Sequence, residues 1–144
     1  MAGAEPMDTP LSGEAAAQLA ERALAMAASL GLEVAVAVVD EACQLLAFQR
    51  HRGAFPAAVD LAQAKARTAA GLRRDTLAMQ KSLEQGRSSY LAMAGALPLG
   101  GGVPLRSATA CVGAIGICGA SSAEDAQIAV AVARQAGLLE DSHA

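Results

Sequence analysis

The chain has 144 residues, a net charge of −3 and 53% apolar residues, with aromatics at only 2%. That length suits one domain with a proper core, and the acidic balance removes the electrostatic case for nucleic acid. No apolar stretch approaches the roughly 18–20 residues of a membrane span.

The start, MAGAEPMDTP, lacks the basic and apolar regions of a secretory signal. Residues 1–10 read as a flexible leader, 11–138 as a single domain and 139–144 as a flexible tail. From Leu11 to Leu30, Ala16, Leu19, Ala23, Met26, Ala27 and Leu30 recur at helical spacing, and Gly31 closes the helix. EVAVAVVD, Glu33 to Asp40, is a β-branched run short enough for a buried strand. Glu41-Ala42-Cys43 turns the chain into a second strand, Gln44 to Arg50, which so short a turn makes antiparallel to the first. Asp40 and Glu41 read as turn carboxylates rather than an acid pair.

Pro56 suits a first helical turn, and Ala57 to Arg74 has no breaker before Gly71. A shorter helix covers Thr76 to Glu84, and Gly86 to Gly102 is loop-like, with Ser88 to Met93 ambiguous between loop and strand. Val103 to Arg106 and Thr109 to Cys118 read as two more strands. SSAEDAQIAVAVARQAG opens on the capping box Ser121-x-x-Glu124 and closes at Gly137. The order predicts an α/β (α+β) domain with an antiparallel sheet of about five strands flanked by helices. A core this rich in alanine and valine requires close contact between helix and sheet.

Three cysteines, Cys43, Cys111 and Cys118, show no disulfide or zinc spacing and fit small buried hydrophobes in a reducing cytoplasm. On one continuous strand, Cys111 and Cys118 would face opposite sides. Between Arg50 and Arg106 lie nine basic residues and three acids, leaving the middle about six charges positive. Without aromatics to stack bases, that balance favours a small anionic ligand.

Lys65 is the most informative single residue. It shares a stripe with Ala58, Leu61, Thr68 and Leu72, while Asp60, Gln63, Arg67 and Arg74 take the solvent side. A lysine on the buried face must snorkel, pair with an acid, or meet an anion or carbonyl substrate. Arg50-His51-Arg52 ends the second strand. Flanked by arginines, His51 is favoured as the neutral imidazole that ligates a metal or acts as a base, and the arginines suit a carboxylate clamp.

The triplet in LGGGVPLR, Leu99 to Arg106, looks like a phosphate cradle. A Walker loop needs a following lysine and helix, and a dinucleotide fingerprint needs the helix too. Here a strand follows instead, and the nucleotide reading fails. No Ser-His-Asp order or nucleophile elbow is legible, which argues against nucleophilic hydrolysis.

VAVVDEACQLLAFQR, GAFPAAVDLAQAKARTAA, LPLGGGVPL and VGAIGICGASSAEDAQIA together resemble the GlcG/HbpS-like family of haem-degrading, or DUF336, domains, also found at the C-terminus of some PduO-type corrinoid adenosyltransferases. The resemblance runs from about Leu11 to Ala136. It implies a profilin-like antiparallel sheet, assembly into homo-oligomers, and for some members haem binding. It also implies that Lys65 and the Gly100-Gly101-Gly102-Val103-Pro104 loop line a shared pocket. Two departures stand out: Arg50-His51-Arg52-Gly53-Ala54 replaces a rim that usually carries an acid, and Ser107-Ala108-Thr109 replaces an Asp-Gly type of hairpin turn. Without that turn chemistry, a wider or shifted connection is expected.

Three functions follow. The first is binding of haem or another small anionic molecule in a basic pocket, with Arg50, Arg52 and Arg106 as cations and His51, Tyr90 or Met93 as axial ligand. The second is a cofactor-independent isomerase, lyase or cyclase acting on a carboxylate or keto/enol compound, with Lys65, His51 and Asp60 catalytic. The third is a non-catalytic assembly module that packs copies through alanine-rich faces. No protein-bound metal ion, nucleic acid or membrane is expected.

Overall fold

A computed structural model describes residues 9–139. Residues 1–8 and 140–144 lie outside the described residues, and with them most of the expected leader and tail, including His143. Ser12 caps the first helix, α1 (Gly13–Ser29), its hydroxyl accepting from the Ala15 N–H. Gly31 (φ +74°) follows the C-cap, and the N–H groups of Gly31 and Leu32 return to the carbonyls of Ala28 and Ala27. Only glycine takes that left-handed turn cheaply, which is why the helix stops there.

Strands β1 (Ala35–Asp40), β2 (Leu45–Arg50), β3 (Gly102–Ser107) and β4 (Ala110–Cys118) form one sheet in the order β2-β1-β4-β3, antiparallel throughout. Helices α2 (Ala58–Leu72), α3 (Thr76–Glu84) and α4 (Ser122–Gln135) complete the expected order. The fold is therefore the predicted antiparallel α+β arrangement, with four strands rather than about five. Ser88–Ala92, the ambiguous stretch, is a short 3-10 helix. At the β3 edge the chain after α4 takes a partner's place, the Leu138 carbonyl accepting from the Arg106 N–H at 2.7 Å. No helix among the described residues is long and apolar enough to cross a membrane.

Strand alternation splits the core into two layers. Val36, Val38, Val103, Leu105, Ile115 and Ile117 meet α1 and α4 on one face. Ala35, Ala37, Val39, Ala114 and Cys118 meet α2 on the other. The α2 layer is nearly all alanine because the helix lies almost against the sheet. A Cβ on Gly116 would fall 2.2 Å from the Ala62 carbonyl. That approach corrects the expected stripe. Ala62, Ala66, Ala69 and Ala70 are buried with Ala58, Lys65 and Thr68, whereas Leu61 is only half-buried and Leu72 is exposed. Bulky leucines would hold the helix off the sheet, so they sit at its margins.

The Asp40 carboxylate accepts from the N–H groups of Ala42 and Gln44, as a turn carboxylate should. The β3–β4 register shifts between Leu105 and Arg106, opposite Gly113 and Cys111, so the parity argument for Cys111 and Cys118 does not run through the strand. The hairpin is not wider than two residues: Ser107 pairs with Ala110, and Ala108 bends to φ +45°. An alanine there carries roughly 1–2 kcal/mol of steric cost that glycine avoids. After the extra backbone entropy of glycine, Ala108→Gly is expected to stabilise the fold by about 0.5–1 kcal/mol. A lower urea midpoint in that variant would contradict the strain.

Candidate functional site

Lys65 is 2% exposed, on the buried face of α2, with its ammonium held by a carbonyl and a carboxylate. It donates to the Ile117 carbonyl at 3.0 Å and pairs with Asp125 Oδ2 at 3.2 Å. Asp125, in the first turn of α4, is 1% exposed, and its Oδ1 accepts from the Ala120 N–H at 3.0 Å. Burial pushes the Asp125 carboxyl above the usual carboxylate range, against the pull of Lys65 and the Ala120 hydrogen bond. Burial likewise pushes up the Cys118 thiol beside them, again opposed by Lys65.

The glycine triplet closes over this pair. A Cβ on Gly101 would lie 2.3 Å from the Ile117 carbonyl and 3.0 Å from Lys65 Nζ, and one on Gly102 would lie 2.3 Å from the Lys65 carbonyl. The N–H groups of Gly100 and Gly102 donate to Gln80 Oε1 and Thr76 Oγ1, both at 2.8 Å. Gly100 to Pro104 are buried. The expected pocket-lining loop is thus packed on Lys65, with two of its three glycine amides spent on side chains of α3.

The other expected site residues are spread apart. His51 continues the β1–β2 pairing: its N–H donates to the Val34 carbonyl, and its Nδ1 accepts from the Val34 N–H at 3.0 Å. Arg50 bends back to the carbonyls of His51 and Arg52, and Arg52 is exposed. Arg106 stands on the opposite edge strand at the other end of the sheet, paired with Cys111, whereas Arg50 aligns with Ala35 and Cys118. Its guanidinium donates to the Arg73 carbonyl at 3.0 Å. Asp60 is exposed near the start of α2. Within one copy of the chain, Lys65, His51, Asp60 and the three arginines do not converge.

The arginines that do converge lie at the C-terminal end of α2. A depression of about 280 Å³ is lined by Arg67, Thr68, Leu72 and Met93. A second, of about 360 Å³, is lined by Leu72, Arg74, Arg87, Tyr90 and Met93. They share Leu72 and Met93, and no carboxylate lines either one. Arg74 Nη1 donates to the Tyr90 phenol oxygen at 2.8 Å. Of this group, only Tyr90 and Met93 were expected to contact a ligand. Arg67 and Arg74 lie on the solvent side, as their spacing predicts, but the contact between α2 and a 3-10 turn twenty residues away leaves no periodic signal. Asp125 did leave one. It falls on the buried stripe of α4 with Ile128, Ala129 and Val132, the kind of polar intrusion that marks Lys65.

A family model described as haem degrading protein HbpS-like matches residues 11–134. Protein GlcG of Escherichia coli strain K12 is 36% identical over 84 residues, 58% of this chain, so the chain spans 63% of that relative's length. A solved double mutant of HbpS from Streptomyces reticuli has a TM-score of 0.81 at 36% identity, covering 92% of this chain and 91% of that one. The solved complex of PduOC with haem has a TM-score of 0.73 at 27% identity, covering 81% and 88%.

Proposed function

The chain belongs to the HbpS-like family of haem degrading proteins, and we propose that it binds haem in the groove between the end of α2 and the 88–96 segment. One observation carries this reading. Arg67, Arg74 and Arg87 ring two joined depressions floored by Leu72 and Met93, and among the described residues no carboxylate pairs with any of them. Haem is a flat apolar ring with two carboxylates, so it needs an apolar floor and cations at the rim. The residues present fit both needs, and the Tyr90 oxygen and Met93 sulfur supply atoms of the types that hold haem iron. When bound, the group would supply iron redox chemistry. The chain's own part is to hold the propionates and shield one ring face. We propose in addition a cytoplasmic homo-oligomer, a reading supported by the three free cysteines and the alanine-rich helices.

The enzyme reading has less support. Its proposed lysine already holds a carboxylate, its histidine Nδ1 holds a backbone N–H, and Asp60 faces solvent.

Titration with hemin is expected to give a saturable Soret shift at about micromolar concentration. Reversing two rim charges, Arg67→Glu with Arg87→Glu, should weaken binding at least about tenfold, the loss of one charge-assisted contact or more. An unchanged titration in the double variant, or no saturable shift in the wild type, would sink the groove assignment.

A further inference from the structure

Resting on that haem reading, we infer that Tyr90 is the iron ligand of the groove, that Arg74 positions it, and that the site therefore selects haem over the iron-free porphyrin. Tyr90 is the only tyrosine in the chain. It is half-buried in the 3-10 helix Ser88–Ala92 and lines one depression together with Leu72 and Met93. The phenol oxygen accepts from Arg74 at 2.8 Å, while its own O–H is given to no acceptor among the described residues. A phenol oxygen has two lone pairs, so one remains for a metal after Arg74 takes the other.

On coordination the O–H bond breaks, the proton leaves to solvent, and an oxygen lone pair forms the Fe–O bond. Arg74 then sits against the anionic oxygen and offsets its charge at short range. A phenolate is a hard anionic ligand suited to ferric iron, whereas the Met93 thioether is a soft one. Within one copy of the chain, His51 lies at the far end of α2 from this groove. It precedes the start of α2, and the 15-residue helix separates the two ends by about 20 Å.

The test uses the full chain with hemin and with iron-free protoporphyrin IX, read by absorbance and resonance Raman. Wild type is expected to show a phenolate-to-iron charge-transfer band and to prefer hemin over protoporphyrin by about tenfold or more. Tyr90→Phe should lose the band and that preference. Arg74→Leu should weaken the band, and Arg74→Lys, which keeps the cation, should restore much of it. That recovery is not expected if Arg74 merely braces the fold. A phenolate band that survives in Tyr90→Phe, or a ligand spectrum that changes in Met93→Leu instead, overturns the inference while leaving the groove intact. Failure of wild type to bind either porphyrin overturns the haem reading itself.

Discussion

Gly101→Ala is expected to destabilise the protein by about 3–5 kcal/mol, a large share of the roughly 5–15 kcal/mol that holds a domain folded. Two costs add. Gly101 holds φ at +132°, where an L side chain strains the backbone. Its new Cβ would also stand 2.3 Å from the Ile117 carbonyl, a backbone atom of a central strand that cannot swing aside. That carbonyl receives the Lys65 ammonium, and the Ile117 N–H donates to the Gly101 carbonyl at 2.9 Å. Moving Ile117 would thus disturb both the strand and the buried ion pair. Gly13→Ala, at the open start of α1 with nothing within 4 Å of the new atom, is the contrasting case. It should be neutral or stabilising by up to about 1 kcal/mol. Urea unfolding followed by circular dichroism measures both. A Gly101→Ala variant within about 1 kcal/mol of wild type would show that the close approach relaxes at little cost.

Local chemistry explains what the sequence made legible. Helix ends were readable because Gly31, Gly137 and the Ser121–Glu124 box act through their own neighbours. Strands were readable because β1 is a β-branched run buried along almost its whole length. The family was readable because four motifs occur in order over most of the chain. The stripe of α2 departs from its spacing because the side chain that decides it is absent: Gly116 lies fifty residues on and draws alanines inward in place of leucines. The grouping of the arginines is hidden for a related reason. Summed charge along residues 50–106 says nothing about direction. Arg50 and Arg106 end at diagonal corners of the sheet, while Arg67, Arg74 and Arg87 line two adjoining depressions. Lys65 is legible as a cation on a buried face, but its carboxylate partner stands sixty residues away on α4.

That partnership predicts what removing the cation does. Lys65→Met keeps much of the stem volume and leaves Asp125 buried with backbone N–H groups, those of Ala120 and Gly119, in place of a cation. The expected loss near neutral pH is about 3–5 kcal/mol, the cost of orphaning a buried charge. The loss depends on pH with a definite sign. Burial already holds the Asp125 carboxyl above its unfolded value, and losing the pull of Lys65 raises it further. Between the unfolded and folded values the folded variant binds more protons than the unfolded chain, so its stability falls as pH rises. Below the unfolded carboxyl's titration, near about pH 4, both states are protonated and that part of the cost disappears. The deficit of Lys65→Met against wild type should therefore shrink from about pH 7.5 towards about pH 4. Lys65→Met with Asp125→Leu removes both charges and should recover much of the loss, since an apolar pair of similar volume replaces a buried ion pair at little cost. Unfolding midpoints of the three proteins at both pH values decide the matter. A Lys65→Met variant that keeps its midpoint near neutral pH yet no longer binds hemin would instead make the ammonium a ligand-binding group, as the sequence first suggests.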